Sequence, residues 1–217
     1  MRIAYVIITC EKYVNTRIKW QQATWLSAVN PTDVYYLGHI MDPDNRMFHW
    51  FAGDDHMSQS KKIIDFFCNM YLDSYDFIVI CDDDTYVFHD RMKMMLIGYD
   101  PNALVCFGHV HTPNDFNFYY SGAGIVLSRA VYKELYALVR LDPKIVHHCA
   151  DVSIGIWLIR LKNIIPGMVL IHHMQLHLDY YDPASDVLTH AITFHHVKTE
   201  KQFQDLHLHH YISKVIN

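Results

Sequence analysis

Along this chain, continuous apolar runs alternate with stretches in which apolar side chains recur every three or four residues. Residues 3–9 form the first run and predict a strand. Residues 15–28 place Ile18, Trp20, Trp25 and Leu26 among polar positions at the helical period, and Pro31 ends that helix. A second strand is predicted over 33–38 and a shorter one over 47–51. Residues 58–74 predict a helix capped by Ser58 that buries Ile63, Ile64, Phe67 and Tyr71. The run 75–81 has the unbroken apolar character of a strand covered on both faces. A helix over 87–98 and a strand over 104–109 follow. Ile125, Val126 and Leu127 read as a strand and Ser128 as the cap of a helix over 129–140. Another helix over 150–162 and a strand over 167–173 complete the pattern.

Strands alternating with helices predict an α/β layered fold with a largely parallel central sheet flanked by helices. In such sheets ligands bind beyond the carboxyl ends of the strands. With no repeat, low-complexity tract or Gly/Ser-rich linker, residues 1–217 read as a single domain. The chain is 51% hydrophobic and 14% aromatic, enough apolar material for one sizeable core. A net charge of -5 argues against a nucleic-acid partner. No apolar run is long enough to predict a transmembrane segment. The short β-branched stretch after Met1 runs into Glu11 and Lys12 rather than a cleavage site, so it is no signal peptide. Five scattered cysteines fit neither a disulfide scaffold nor a metal knuckle, which favours a reducing compartment.

The chemistry concentrates at Asp82-Asp83-Asp84, directly after the apolar strand. Adjacent carboxylates at a strand end repel one another, and a cation relieves that repulsion. Hard oxygen ligands suit Mg²⁺ or Mn²⁺, ions that commonly bridge protein to diphosphate. A haloacid-dehalogenase phosphatase also places aspartates at a strand end, but it needs Thr or Val where Tyr86 stands. Gly122-Ala123-Gly124 lacks the third glycine of a dinucleotide loop and precedes a strand, so it reads as a turn or a close approach to a ligand. Asp151 opens an apolar helix, where it could be the N-cap or could deprotonate an acceptor hydroxyl. The histidine clusters match no zinc-protease or zinc-finger spacing. His195 follows an apolar run and is a candidate further ligand.

In order, these blocks resemble the Fringe-like β-1,3-glycosyltransferase family, which includes core-1 galactosyltransferases. The resemblance lies in Thr9-Cys10-Glu11-Lys12 with Arg17 and Thr24-Trp25, in Cys81-Asp82-Asp83-Asp84-Thr85-Tyr86-Val87, in Ser121 to Ser128, and in Ala150 to Gly155 with Phe194-His195. It implies a GT-A nucleotide-diphospho-sugar transferase fold and a metal-dependent inverting hexosyltransferase that uses a UDP-sugar donor and a glycan or glycoconjugate acceptor. By the same resemblance Asp84 and His195 hold Mn²⁺ or Mg²⁺, and Asp82 or Asp83 contacts the ribose or donor sugar. Thr9 and Arg17 lie near the base and phosphates, Gly122, Ala123 and Gly124 lie at the donor, and Asp151 is the base. Ser121 and Ala150 depart from the family pattern. The family's usual secretory anchor is missing, which fits either an excised catalytic domain or a soluble cytoplasmic member from a cell or virus, and Met1 directly before the first strand favours the second. A non-catalytic carbohydrate-binding domain is the remaining alternative.

Overall fold

The computed structural model describes residues 1–50, 52–111, 118–119, 122–144, 147–177 and 186–216. Strand β1 (Ile3–Ile8) leads into α1 (Glu11–Tyr13), a π-helical turn (Val14–Ile18), α2 (Lys19–Ala23) and a 3-10 turn (Trp25–Ala28). Then come β2 (Val34–Leu37), β3 (Met47–Phe48), α3 (Gln59–Asn69), β4 (Phe77–Asp82), β5 (Tyr86–Val87) and α4 (His89–Leu96). The second half contains β6 (Val105–Gly108), β7 (Val110–His111), β8 (Phe118–Tyr119), β9 (Ile125–Ser128), α5 (Arg129–Leu141) and α6 (Ala150–Ile164). It closes with β10 (Val169–His172), β11 (Leu176–His177), β12 (Thr193–Phe194) and α7 (Glu200–Ile216).

Among the described residues, seven strands form the central sheet in the order β10-β6-β9-β4-β1-β2-β3. All pairings are parallel except those of β9, which runs antiparallel to both β4 and β6. The alternation of side chains explains the continuous apolar runs. Tyr5, Ile7, Phe77 and Val79 pack into one core, while Ala4, Val6, Ile78 and Ile80 pack into a second on the opposite face. Helices α3, α5 and α6 cover that second face through Phe67, Tyr132 and Trp157. The first face carries α4, α7 and a small sheet of β11, β12 and β5.

Several details differ from the sequence expectation: the helix predicted over 15–28 is broken into a π-helical turn, α2 and a 3-10 turn, and Val87, predicted to start a helix, lies in β5. Ser58 lies in a 3-10 turn with helical backbone and makes no cap hydrogen bond, because its hydroxyl donates to Asp55 at 2.7 Å. Tyr71 is 50% exposed, because α3 ends at Asn69 and the extended backbone of Met70 takes Tyr71 off the buried helix face. The short third strand stops at Phe48, and Phe51 lies outside the described residues. Ser128 does cap α5, accepting from the Val131 N–H. No helix among the described residues is long and apolar enough to cross a membrane.

Candidate functional site

Parallel register alone brings the first two blocks of the site together. Ile8 pairs with Asp82 at the carboxyl ends of β1 and β4, so Thr9 and Asp83 are the next residues out of the sheet. The Thr9 hydroxyl donates to Asp83 Oδ2 at 2.8 Å, and Arg17 donates to Asp83 Oδ1 at 2.6 Å. Arg17 sits in the π-helical turn, a feature frequent at functional sites. Its guanidinium lies 3.7 Å from the centre of the Tyr13 ring and 3.6 Å from Asp84 Oδ2. Thr9 and Arg17 therefore hold Asp83 directly.

His195 reaches the acidic turn through the small sheet. Antiparallel pairing of Phe194 with Tyr86 carries the next residue toward Thr85 and Asp84, and the Val197 N–H donates to the Asp84 carbonyl at 2.9 Å. His195 Nε2 stands 3.1 Å from Asp84 Oδ1 and 3.8 Å from Asp82 Oδ2. Among the described residues, His195 Nδ1 is buried with no hydrogen-bond partner. The His196 ring stacks on that of His195 at 3.7 Å between centres, and its backbone is left-handed at φ 58°.

The glycine block braces this contact. Thr85 donates to the Gly122 carbonyl at 2.7 Å, and the Thr193 hydroxyl donates to the Ala123 carbonyl. A Cβ on Gly122 would lie 2.3 Å from the His195 ring, and Gly124 adopts φ +93°. The close approach that demands glycine is thus made by His195. Gly122, Ala123 and Gly124 do not line the cavity at the acidic turn. Ser121 and Tyr120 lie outside the described residues.

Two contributors carry little signal in the sequence. Gln21 is fully buried and its side-chain N–H₂ lies 3.0–3.3 Å from the carbonyls of Asp82, Asp83 and Thr85, tying α2 to the turn. Lys62, 5% exposed, donates to the Thr9 carbonyl at 2.6 Å and to Asp54 at 2.7 Å. A Gln inside an amphipathic helix and a lysine pair at 61–62 both resemble a solvated helix face. Only their long-range partners distinguish them.

These groups surround a cavity of about 460 Å³ lined by Asp54, Asp55 and the triplet, and by the cations Lys12, Arg17, Lys62 and Lys198. Burial pushes the Asp82 carboxyl up to about 7; His195 opposes this, while Asp84, Asp83 and Asp151 add to it. Burial also raises Asp83 despite the Arg17 and Thr9 bonds. At Asp84 burial is outweighed by the hydrogen bond and charge of His195, helped by Arg17, and the group stays below the usual carboxylate range. Asp151 sits in the first turn of α6, whose cap residue is Cys149, and its Oδ1 accepts from the Val152 N–H at 2.8 Å. Burial raises it, and it lies within electrostatic reach of His147, His195 and Asp82.

One carboxylate and two imidazoles make a mixed oxygen and borderline-nitrogen donor set able to hold a divalent cation. Neighbouring ligands of an octahedral ion bound at about 2.1 Å stand about 3 Å apart, close to the Asp84–His195 separation of 3.1 Å. His196 offers a third donor atom, all three lying within 4.8 Å of one another.

Two solved structures share the architecture. One is a glycosyltransferase involved in glycosylation of the major capsid of PBCV-1, 12% identical over 94% of this chain and 99% of that one, with a TM-score of 0.50. The other is the bifunctional glycosyltransferase WbbM, 11% identical over 98% of this chain and 51% of that one, with a TM-score of 0.51. At such identities the likeness concerns the fold, which is that of the GT-A glycosyltransferases. The Fringe-like family model matches residues 2–213, nearly the whole sequence and every block of the site, and the chain belongs to the Fringe-like family.

Proposed function

We propose that this protein is an inverting glycosyltransferase that moves a hexose from a UDP-sugar to a hydroxyl of a glycan or glycoconjugate, with Mn²⁺ or Mg²⁺ as cofactor. Family membership and the GT-A fold support the transferase reading. The observation that carries the donor and metal assignment is the Asp84–His195 pair, 3.1 Å apart, beside an anchored Asp83 in a cavity at the strand ends. Asp84 and His195 would hold the ion, which when bound offsets the negative charge developing on a departing diphosphate.

The chain's own groups supply the rest. Asp83, fixed by Thr9 and Arg17, presents its remaining lone pairs to ribose or donor-sugar hydroxyls. Arg17, Lys12 and Lys198 line the same cavity and balance phosphate charge. Asp151 takes the acceptor hydroxyl's proton as that oxygen bonds to the anomeric carbon and the bond to the diphosphate oxygen breaks on the opposite face. One such displacement inverts configuration. All five cysteines are free, which supports a reducing, cytoplasmic setting.

Calorimetry with UDP, with and without Mn²⁺, tests this reading. Saturable UDP binding that requires the metal is the expected result. A Mg²⁺-dependent phosphatase would instead hydrolyse a model phosphoester without a sugar acceptor. A carbohydrate-binding domain would take glycans with no need of nucleotide or metal, and either outcome overturns the transferase.

Gly122→Ala gives an independent check. The added methyl displaces the His195 ring, so Mn²⁺ affinity should fall about 10- to 100-fold, the range for disturbing an outer partner of a ligand. Unchanged Mn²⁺ affinity in this variant would remove His195 from the ligand set.

A further inference from the structure

We propose a second, chemically distinct metal site at His147, His148 and Cys149, selective for zinc-class transition ions. Among the described residues two groups of side chains have donor atoms close enough to share an ion, and this is the one outside the acidic turn. Its three donor atoms lie within 4.8 Å of one another. Two imidazoles and a thiol are borderline-to-soft ligands, suited to Zn²⁺ or Co²⁺ and poorly suited to Mn²⁺ or Mg²⁺.

Consecutive residues do not ordinarily turn their side chains to one point, and here the backbone is fixed so that they do. The His147 carbonyl accepts from the Ser153 hydroxyl at 2.9 Å, and the His148 carbonyl accepts from the Ser60 N–H at 3.4 Å. Ser60 and Ser153 are themselves hydrogen-bonded at 2.7 Å in the buried contact between α3 and α6. The Cys149 N–H donates to His147 Nδ1 at 3.1 Å. That bond puts the proton of the neutral ring on Nε2 and engages the Nδ1 lone pair, so an ion bound at Nδ1 would replace the Cys149 N–H there. The His147 and His148 rings lie 4.2 Å apart, tilted by 31°. His148 is exposed and its two neighbours are half-buried, so an ion can reach the site from solvent. On coordination the Cys149 thiol releases its proton to solvent and binds as thiolate. Three protein ligands leave a fourth position for water. An ion there would clamp the residues leading into α6, the helix that carries Asp151.

The test is a Co²⁺ titration of the intact protein, followed in the near-ultraviolet for thiolate-to-cobalt charge transfer. A saturable band is expected, displaced by Zn²⁺, abolished by Cys149→Ser and weakened more than about tenfold in affinity by His148→Ala. The His148 variant keeps the test decisive if the serine disturbs the helix start. Cys10 lines the acidic cavity, so Cys10→Ser is the control and should leave the band intact. No band in the wild type, or a band that survives Cys149→Ser, overturns the site. Neither UDP nor turnover enters the measurement, so this inference and the transferase reading stand or fall separately.

Discussion

Asp84→Ala should abolish Mn²⁺-dependent UDP binding, lowering Mn²⁺ affinity by more than the about 10- to 100-fold expected for an outer-shell change. The reason is geometric. Of the two triplet carboxylates facing His195, Asp84 approaches its Nε2 to 3.1 Å and Asp82 only to 3.8 Å, while Asp83 is committed to Thr9 and Arg17. The fold should survive, because removing one of three crowded carboxylates relieves repulsion while costing His195 its partner. These opposing effects of order 1 kcal/mol would move the melting midpoint by about 2–4 °C at most for a chain of this size. Asp84→Asn keeps the shape and removes the charge, and should fail equally. Calorimetry that finds full metal-dependent binding in either variant would reject Asp84 as a ligand, and loss in Asp82→Ala alone would move the assignment to Asp82.

How much of this site the sequence reveals depends on how local its physics is. The acidic triplet is legible because charge follows an unbroken apolar strand, and the two-sided burial of Phe77 to Cys81 accounts for that run. Parallel pairing of β1 with β4 then follows from the α/β alternation. The reversed direction of β9 does not follow, since Ile125 to Leu127 would read the same in either orientation. Helix α7 escapes for a different reason. Its fully buried Phe203 and Leu206 are separated by polar residues and followed by His207, His209 and His210, so the apolar period is weak. At the site, His195 is suggested by its position after an apolar run, whereas its contact with Gly122 exists only in the folded chain. Gln21 and Lys62 are hidden in the same way. Each acts through carbonyls or carboxylates distant in sequence, and nothing local separates them from solvated helix residues.

Asp151→Asn separates two readings of a single residue, and its expected result is a loss of kcat on the order of 10²–10⁴-fold, the usual share of a general base. Asparagine is nearly isosteric, and its Oδ1 can still accept from the Val152 N–H as the carboxylate does at 2.8 Å. The first turn of α6 is therefore retained, and Cys149 remains its cap residue. Donor and metal binding should be preserved, because Asp151 does not line the cavity at the acidic turn. If Asp151 serves only the helix, the substitution removes a favourable charge near a helix N-terminus, worth about 0.3–1 kcal/mol, and leaves turnover untouched. The discriminating measurement is kcat beside UDP affinity in the same preparation. Normal UDP binding with lost turnover places Asp151 at the acceptor hydroxyl. Normal turnover with a slightly lower melting midpoint returns it to the helix, and the proton must then be taken by another group.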